Sequence, residues 1–368
     1  MVALPATLAP HIIAEPEPRR RRTTTRQRRA RPETLTGGDK AGSWRVENPL
    51  GRGGMASVYA VTHTKFGKRA ALKLAHREIL GKGFTPDTFL REARIVNLVN
   101  HACVPDVFAT GTYDGRPYLV MERLSGQTLG QRLDSGAMSH NEAIEILMQL
   151  CEVLGAAHEA CVVHRDLKLD NVFLLDAPCA GGHRVKLLDW GVAHVIGEAD
   201  PMAGFIAGTL TYVAPEQIRA DGLTPAADVY SLAVLAYQML FGAPPFVARE
   251  DLALIRLHMN TSPPAPQTLC PDVNPELATL LLAMLAKDPV DRPAIPEVVR
   301  VLTKVRDGIA AAAATAAAQP ARRVLAIPTA PPCDPFGRPA LRLTAKGKKL
   351  IGVSMGLLAA LSTLAGWM

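Results

Sequence analysis

His164-Arg-Asp-Leu-Lys-Leu-Asp-Asn171 lies between a stretch of apolar residues at helical spacing and an apolar strand-like run. Five of its side chains are ionisable: His164, Arg165, Asp166, Lys168 and Asp170. Placing so much charge between two apolar elements costs desolvation energy that packing alone would not offset. Downstream, Lys186-Leu-Leu-Asp189-Trp-Gly191 puts an aspartate at the end of another apolar strand, against a glycine turn. Asp166, Asn171 and Asp189 together offer oxygens of the hard type that Mg²⁺ takes.

Outward toward the N-terminus, residues 44 to 108 have a strand-like texture interrupted by one helix. Trp44-Arg-Val-Glu-Asn-Pro-Leu leads into Gly51-Arg-Gly-Gly-Met-Ala-Ser-Val58, a glycine-rich turn between two strands. Backbone N–H groups in such a turn can approach phosphates that a β-carbon would keep away, although alone it reads equally as a plain hairpin. Lys73 sits in the short strand Ala70–Leu74; one strand lysine by itself is a solvated face. The apolar spacing from Thr88 to Asn100 predicts a helix bearing Glu92, a partner for Lys73. Arg116 to Met121 again reads as a strand.

Beyond Gly126 the period becomes helical. Asn141 to Ala160 carries Ile144, Leu147, Met148, Cys151 and Leu154 on one stripe. Pro225 to Leu240, Pro275 to Leu285 and Pro296 to Val305 repeat the texture. A β-rich part followed by a helical part predicts two lobes with a cleft between them.

The 368 residues are 48% hydrophobic and 20% charged, which excludes wholesale disorder. The net charge of +7 is unevenly spread. Residues 1–40 hold nine basic against four acidic side chains and residues 320–368 seven against one, so the body between them is mildly acidic. Basicity confined to tails argues against a nucleic-acid-binding protein, which needs a folded basic face. Six cysteines without a C-x-x-C pair argue against a disulfide framework or zinc site and for reduced thiols. No signal peptide is expected, because the N-terminal apolar stretch precedes the arginines and contains Pro5 and Pro10.

Residues 1–42 are read as a disordered arginine-rich arm, either bound to anionic lipid or nucleic acid or simply solvated. Residues 307–349 are alanine-rich, then proline-rich, as in a linker. Residues 350–368 are nineteen uncharged, mostly apolar positions preceded by Lys346, Lys348 and Lys349. That length matches a membrane span, and the lysines place everything before it in the cytoplasm. The expected location is therefore the inner (cytoplasmic) membrane, as a single-pass protein. Gly352 and Gly356, with Ala360, form a small-residue face suited to a homodimer of membrane helices. With the sequence stopping at Met368, no external sensor domain is expected.

Taken in order and spacing, these motifs resemble the eukaryotic-like protein kinases, specifically the bacterial membrane-anchored Ser/Thr kinases. The resemblance covers about residues 43–306 and extends through Ala214-Pro-Glu216, Asp228-Val-Tyr-Ser and Asp291-Arg-Pro293. It implies an α+β bilobal kinase fold, with the small β-rich lobe over about 43–123 and the larger helical lobe over about 124–306. It also implies ATP and Mg²⁺ (Mn²⁺ as a substitute) and protein substrates phosphorylated on Ser or Thr.

Carried over residue by residue, Gly51, Arg52, Gly53, Gly54 and Val58 cover the nucleotide, and Lys73, positioned by Glu92, binds its phosphates. Ala71, Met121, Glu122, Leu124 and Phe173 surround the adenine, with Glu122 to Leu124 as hinge. Asp166 is the catalytic base, Lys168 contacts the transferring phosphate, and Asn171 and Asp189 hold the metal. Thr209 engages the catalytic loop. Glu216 and Arg292 form a buried ion pair, and Asp228 braces the loop from within.

Three positions depart from that pattern: Ala56 for a loop glycine, Trp190 for phenylalanine and Leu169 for proline. None removes a catalytic group, yet a nucleotide-binding scaffold with little transfer activity stands as the alternative. The resemblance also implies that Asp170 faces the incoming peptide, where a preference for a basic residue upstream of the target is expected. Many relatives are activated by a phosphate that pairs with an arginine such as Arg165. Here no Ser, Thr or Tyr occurs between Asp189 and Gly208, so activation is expected to use no phosphate there; either Glu198 or Asp200 supplies part of that charge, or proximity in the membrane suffices.

Overall fold

A six-stranded antiparallel sheet in the order β1-β2-β3-β4-β6-β5 forms the first lobe of the computed structural model, which describes residues 34–80, 85–200 and 209–318. Its strands are β1 (Lys40–Ala41), β2 (Trp44–Arg52), β3 (Ala56–His63), β4 (Arg69–Ala75), β5 (Val107–Tyr113) and β6 (Arg116–Met121). Helix α1 (Pro86–Val99) enters between β4 and β5. Thr85 caps it by accepting from the Thr88 N–H, Pro86 occupies its first turn, and Asn100 closes it in the left-handed region. Register aligns Val58 with both Gly51 and Lys73, and Ala71 with Met121. Directly paired residues and those two apart on a strand share a face, so Val58, Ala71, Lys73 and Met121 all look toward one side of the sheet.

The chain then crosses at Glu122–Ser125 into β7 (Gly126–Thr128) and α2 (Leu129–Asp134). Gly126 has φ of 144°, and a β-carbon there would lie 2.0 Å from the Leu174 carbonyl oxygen, so only glycine fits. Helix α3 (His140–Glu159), capped by Ser139, precedes β8 (Val162–Val163). After the stretch His164 to Asn171 come β9 (Val172–Leu175), β10 (Val185–Leu187) and β11 (His194–Val195). β9 lies between β7 and β10, and β11 pairs with β8.

Helices α4 (Pro215–Arg219), α5 (Ala226–Phe241), α6 (Asp251–Asn260), α7 (Pro266–Leu269), α8 (Pro275–Met284) and α9 (Ile295–Ala318) complete the described chain. Helix α5 is buried on nearly every side, as its apolar composition requires, and α3 and α8 pack against it. The main core gathers Leu147, Leu150 and Leu154 of α3, Tyr230 and Leu235 of α5 and Leu281 of α8, with Ile95 and Val99 of α1. Sheet residues such as Val46, Tyr59, Leu72 and Val120 form a second core.

Texture in the sequence ends the last helix at Val305 and starts a linker at 307, but α9 runs to Ala318. Alanine has the strongest helix propensity, so its run continues a helix already begun. The arm over 1–33, the rest of the linker and the apolar stretch 350–368 lie outside the described residues. Among the described residues, no helix is long and apolar enough to cross a membrane. The five described cysteines are free.

Candidate active site

Strand β4 delivers Lys73 to the cleft side of the sheet, where its Nζ meets two carboxylates. It donates to Glu92 Oε2 of α1 at 2.7 Å and to Asp189 Oδ1 at 2.8 Å. Burial alone would lower the Lys73 pKa; the Glu92 and Asp189 charges outweigh it and raise the pKa above its ordinary value. Burial also lifts the Asp189 carboxyl, but Lys73 overcomes this and holds it below the usual range. Glu92 is pushed upward by burial and by Asp189 despite Lys73. The trio sets one amine between two carboxyl groups.

The loop from His164 to Asn171 is fixed from below by Asp228, at the start of α5. Its two carboxylate oxygens accept from the His164 and Arg165 backbone N–H groups, each at 2.9 Å. His158 Nε2 lies 2.9 Å from the same carboxylate. Burial would raise the Asp228 pKa, and the bond to His158 and its charge hold it below the ordinary value instead. Arg165 adopts φ of 69°, a left-handed turn that the two backbone bonds hold in place.

Asp166 follows that turn. Its Oδ2 accepts from Lys168 Nζ at 2.6 Å and from Asn171 Nδ2 at 3.0 Å, and Asn171 also donates to the Asp166 carbonyl at 2.8 Å. The other oxygen, Oδ1, is buried with no hydrogen-bond partner among the described residues. A buried carboxylate oxygen left open in this way is an acceptor waiting for a donor.

Trp190 fills the position after Asp189. The ring is buried, its Nε1–H donates to the Leu187 carbonyl at 3.1 Å, and it packs edge-on to His164 with centroids 4.6 Å apart. The larger ring therefore finds a partner for its one polar atom.

The residues fit a nucleotide with a hard divalent ion. A β-carbon at Gly51 or Gly54 would meet no protein atom within 4 Å, so packing within the chain does not demand glycine there. Glycine there leaves the backbone N–H groups open to a phosphate-bearing ligand. Among the described residues no cluster of three or more His, Cys, Asp or Glu side chains is arranged to hold a metal unaided. One carboxylate and one amide, with phosphate oxygens and water making up the rest, is the set Mg²⁺ takes beside a nucleotide.

The structure thus brings Lys73, Glu92 and Asp189 into one cluster and Asp166, Lys168 and Asn171 into another. Val58, Ala71 and Met121 share the sheet face that Lys73 occupies, and Phe173 of β9 aligns with Lys186 and Thr128. Thr209 is exposed, its carbonyl accepts from the Tyr212 N–H, and among the described residues no hydrogen bond joins its hydroxyl to Asp166 or Lys168. Glu122 was expected at the hinge, and its side chain turns to the buried Lys186, whose Nζ donates to it at 2.6 Å and to the Val104 carbonyl at 3.2 Å. Sequence reading missed this brace and His158, since a lone charge on a strand or helix reads as a solvated face. Glu216 and Arg292 form the expected bidentate pair, with contacts of 2.7 and 2.8 Å and exposures of 1% and 0%.

A sheet-rich lobe followed by a helical lobe, with a Lys73–Glu92–Asp189 cluster and an Asp166–Lys168–Asn171 cluster, is the arrangement of the protein kinase class. The family model described as "Protein kinase domain" matches residues 44–301, and the chain belongs to that family. It is 39% identical over 265 residues to the serine/threonine-protein kinase Pkn1 of Myxococcus xanthus, covering 69% of this chain and 37% of Pkn1. It is 33% identical over 263 residues to Myxococcus xanthus Pkn3, covering 69% of this chain and 48% of that protein. To the probable serine/threonine-protein kinase PknB of Corynebacterium glutamicum it is 31% identical over 264 residues, 68% of this chain and 40% of PknB. The matches thus span less than half of each of these relatives.

Proposed function

We propose that this chain is a protein serine/threonine kinase that transfers the γ-phosphate of ATP to Ser or Thr hydroxyls of protein substrates. The observation that carries this reading is the open, buried Oδ1 of Asp166, beside a complete Lys73–Glu92–Asp189 cluster. Asp166 Oδ1 accepts the substrate hydroxyl and orients it. Lys168, held at 2.6 Å from Asp166, presents its ammonium to the charge that develops on the transferring group. Lys73 holds phosphate oxygens, and Glu92 fixes its position. Asn171 and Asp189 hold Mg²⁺, which supplies charge neutralisation on the phosphates when bound. Gly51, Arg52, Gly53, Gly54 and Val58 cover the nucleotide from above, while Ala71, Met121, Leu124, Phe173 and the Glu122 backbone enclose its base.

Chemistry of this kind rests on positioning and electrostatics, and all the groups needed are in the chain. That favours transfer over a nucleotide-binding scaffold. We also place residues 350–368 in the cytoplasmic membrane, on the strength of their nineteen uncharged positions and the three lysines before them. Gly352 and Gly356 would then form a homodimer face.

Incubation of the full chain with labelled ATP, Mg²⁺ and a generic protein substrate tests the activity. Phosphoserine or phosphothreonine in the hydrolysed substrate is the expected product. Absence of label, or label on tyrosine alone, contradicts it.

A further inference from the structure

Arg165 and two arginines of α1 already pair with carboxylates of their own chain. Arg165, next to Asp166, has a side chain only 5% exposed, and its Nη2 lies 2.6 Å from Asp200 Oδ2. Two residues earlier, Glu198 reaches the outer side of α1. Its Oε1 accepts from Arg94 Nη2 at 2.5 Å, and its Oε2 lies 3.4 Å from both Arg91 Nη2 and Arg94 Nη1. Arg91 and Arg94 flank Glu92, the residue that orients Lys73. One short segment therefore grips both halves of the catalytic apparatus.

Its placement follows from the backbone. In β11, His194 and Val195 pair with Val163 and Val162, the residues leading into His164. The Ile196 N–H continues the ladder to the Cys161 carbonyl at 2.8 Å, and the Glu198 N–H turns back to the Val195 carbonyl at 3.1 Å. The two acids are delivered from a strand anchored to the catalytic loop itself.

Burial of Arg165 and the nearness of Arg91 favour an anion here. Burial pushes the Arg165 pKa down and the nearby Arg91 charge pushes the same way, while Asp200 opposes both. Burial, Arg165 and Arg91 likewise keep the neighbouring His194 below its ordinary pKa and so neutral, adding no charge at pH 7. A phosphate on a hydroxyl side chain would satisfy such a cluster, but the sequence has no Ser, Thr or Tyr from 190 to 208. Carboxylates at 198 and 200 take that place.

We propose that Glu198 and Asp200 are positioning residues whose carboxylates hold Arg165 and α1 in the catalytic arrangement, so that transfer proceeds without phosphorylation of this segment. The inference rests on the reading of the chain as a kinase. Asp200 acts through Arg165 on Asp166, and Glu198 acts through α1 on Glu92 and Lys73.

The test uses the full chain, treated with a phosphatase that is then removed, and checked by intact mass. The dephosphorylated wild type is expected to keep its kcat. Asp200→Asn should lower kcat on the order of ten-fold, the loss of one charge-assisted contact, with the KM for ATP unchanged. Asp200→Glu should restore most of the rate, and Glu198→Gln should speed amide hydrogen exchange in α1. Loss of wild-type activity on dephosphorylation, with the phosphate mapped to Thr211, overturns the proposal, as does an Asp200→Asn enzyme with wild-type kcat. Should no wild-type preparation transfer phosphate, the kinase reading fails; faster exchange of α1 in Glu198→Gln would then still support the carboxylate grip, and unchanged exchange would reject it.

Discussion

Lys73 Nζ stands 2.7 Å from Glu92 Oε2, so the strand that carries the lysine and the helix that carries the glutamate are locked across the cleft wall. Replacing Lys73 with Met removes the cation from both Glu92 and Asp189. Phosphate transfer is expected to fall about 10²–10³-fold, the usual cost of losing one preorganised electrostatic group. Steady-state kinetics on the purified variant checks this. Because only one side of a nearly buried pair is removed, thermal unfolding should also move to lower temperature.

The Glu216–Arg292 pair should behave differently. Both side chains are fully enclosed, and Arg292 also donates to the carbonyls of Ala226 and Ala286. Arg292→Ala leaves Glu216 charged and alone, at a cost of about 3–5 kcal/mol. Denaturant unfolding should show that loss, and the fraction still folded should retain its affinity for ATP.

Trp190→Phe removes the indole N–H and leaves the Leu187 carbonyl without that donor. Stability should drop by about 1–3 kcal/mol from the unsatisfied acceptor, with a smaller void added beside His164. Hydrogen exchange should quicken around residues 187–191. Exchange and stability equal to wild type would show that the Nε1 bond fixes nothing.

His258 of α6 supplies the pH dependence. It is fully buried, its Nδ1 lies 2.9 Å from the Tyr230 hydroxyl, and Lys287 donates to its carbonyl at 2.7 Å. Burial, then the Lys287 charge, push its pKa down to about 4. A histidine with a lowered folded pKa is neutral in the fold and takes up a proton more readily when unfolded. Its contribution is therefore intact above the unfolded value of about 6.5, and is lost as pH falls from there toward about 4. Melting temperature should decline across that interval in the wild type, and less steeply in His258→Gln.

How much of this was legible in the sequence depends on distance along the chain. The charges of His164 to Asn171 stand out because they interrupt apolar runs, and the Lys73–Glu92 pairing follows from a strand lysine and the helix after it. The Lys186–Glu122 brace, 64 residues apart, and the His158–Asp228 bond, 70 apart, leave no local signature. Strands β8 and β11 have two residues each, too short for alternation to register, yet they deliver Glu198 and Asp200 to their arginines. Composition misreads the alanine run after Val305, because the texture of a linker and the residue with the highest helix propensity coincide there.

The proposed role of Asp166 is to take the substrate hydroxyl on its unpaired Oδ1. Its most direct test compares wild type and Asp166→Asn for phosphate transfer to a Ser/Thr substrate, with ATP affinity measured in parallel. Transfer by the wild type, lowered about 10²–10⁴-fold in the variant at unchanged ATP affinity, is the expected result. Equal transfer by both proteins would contradict it.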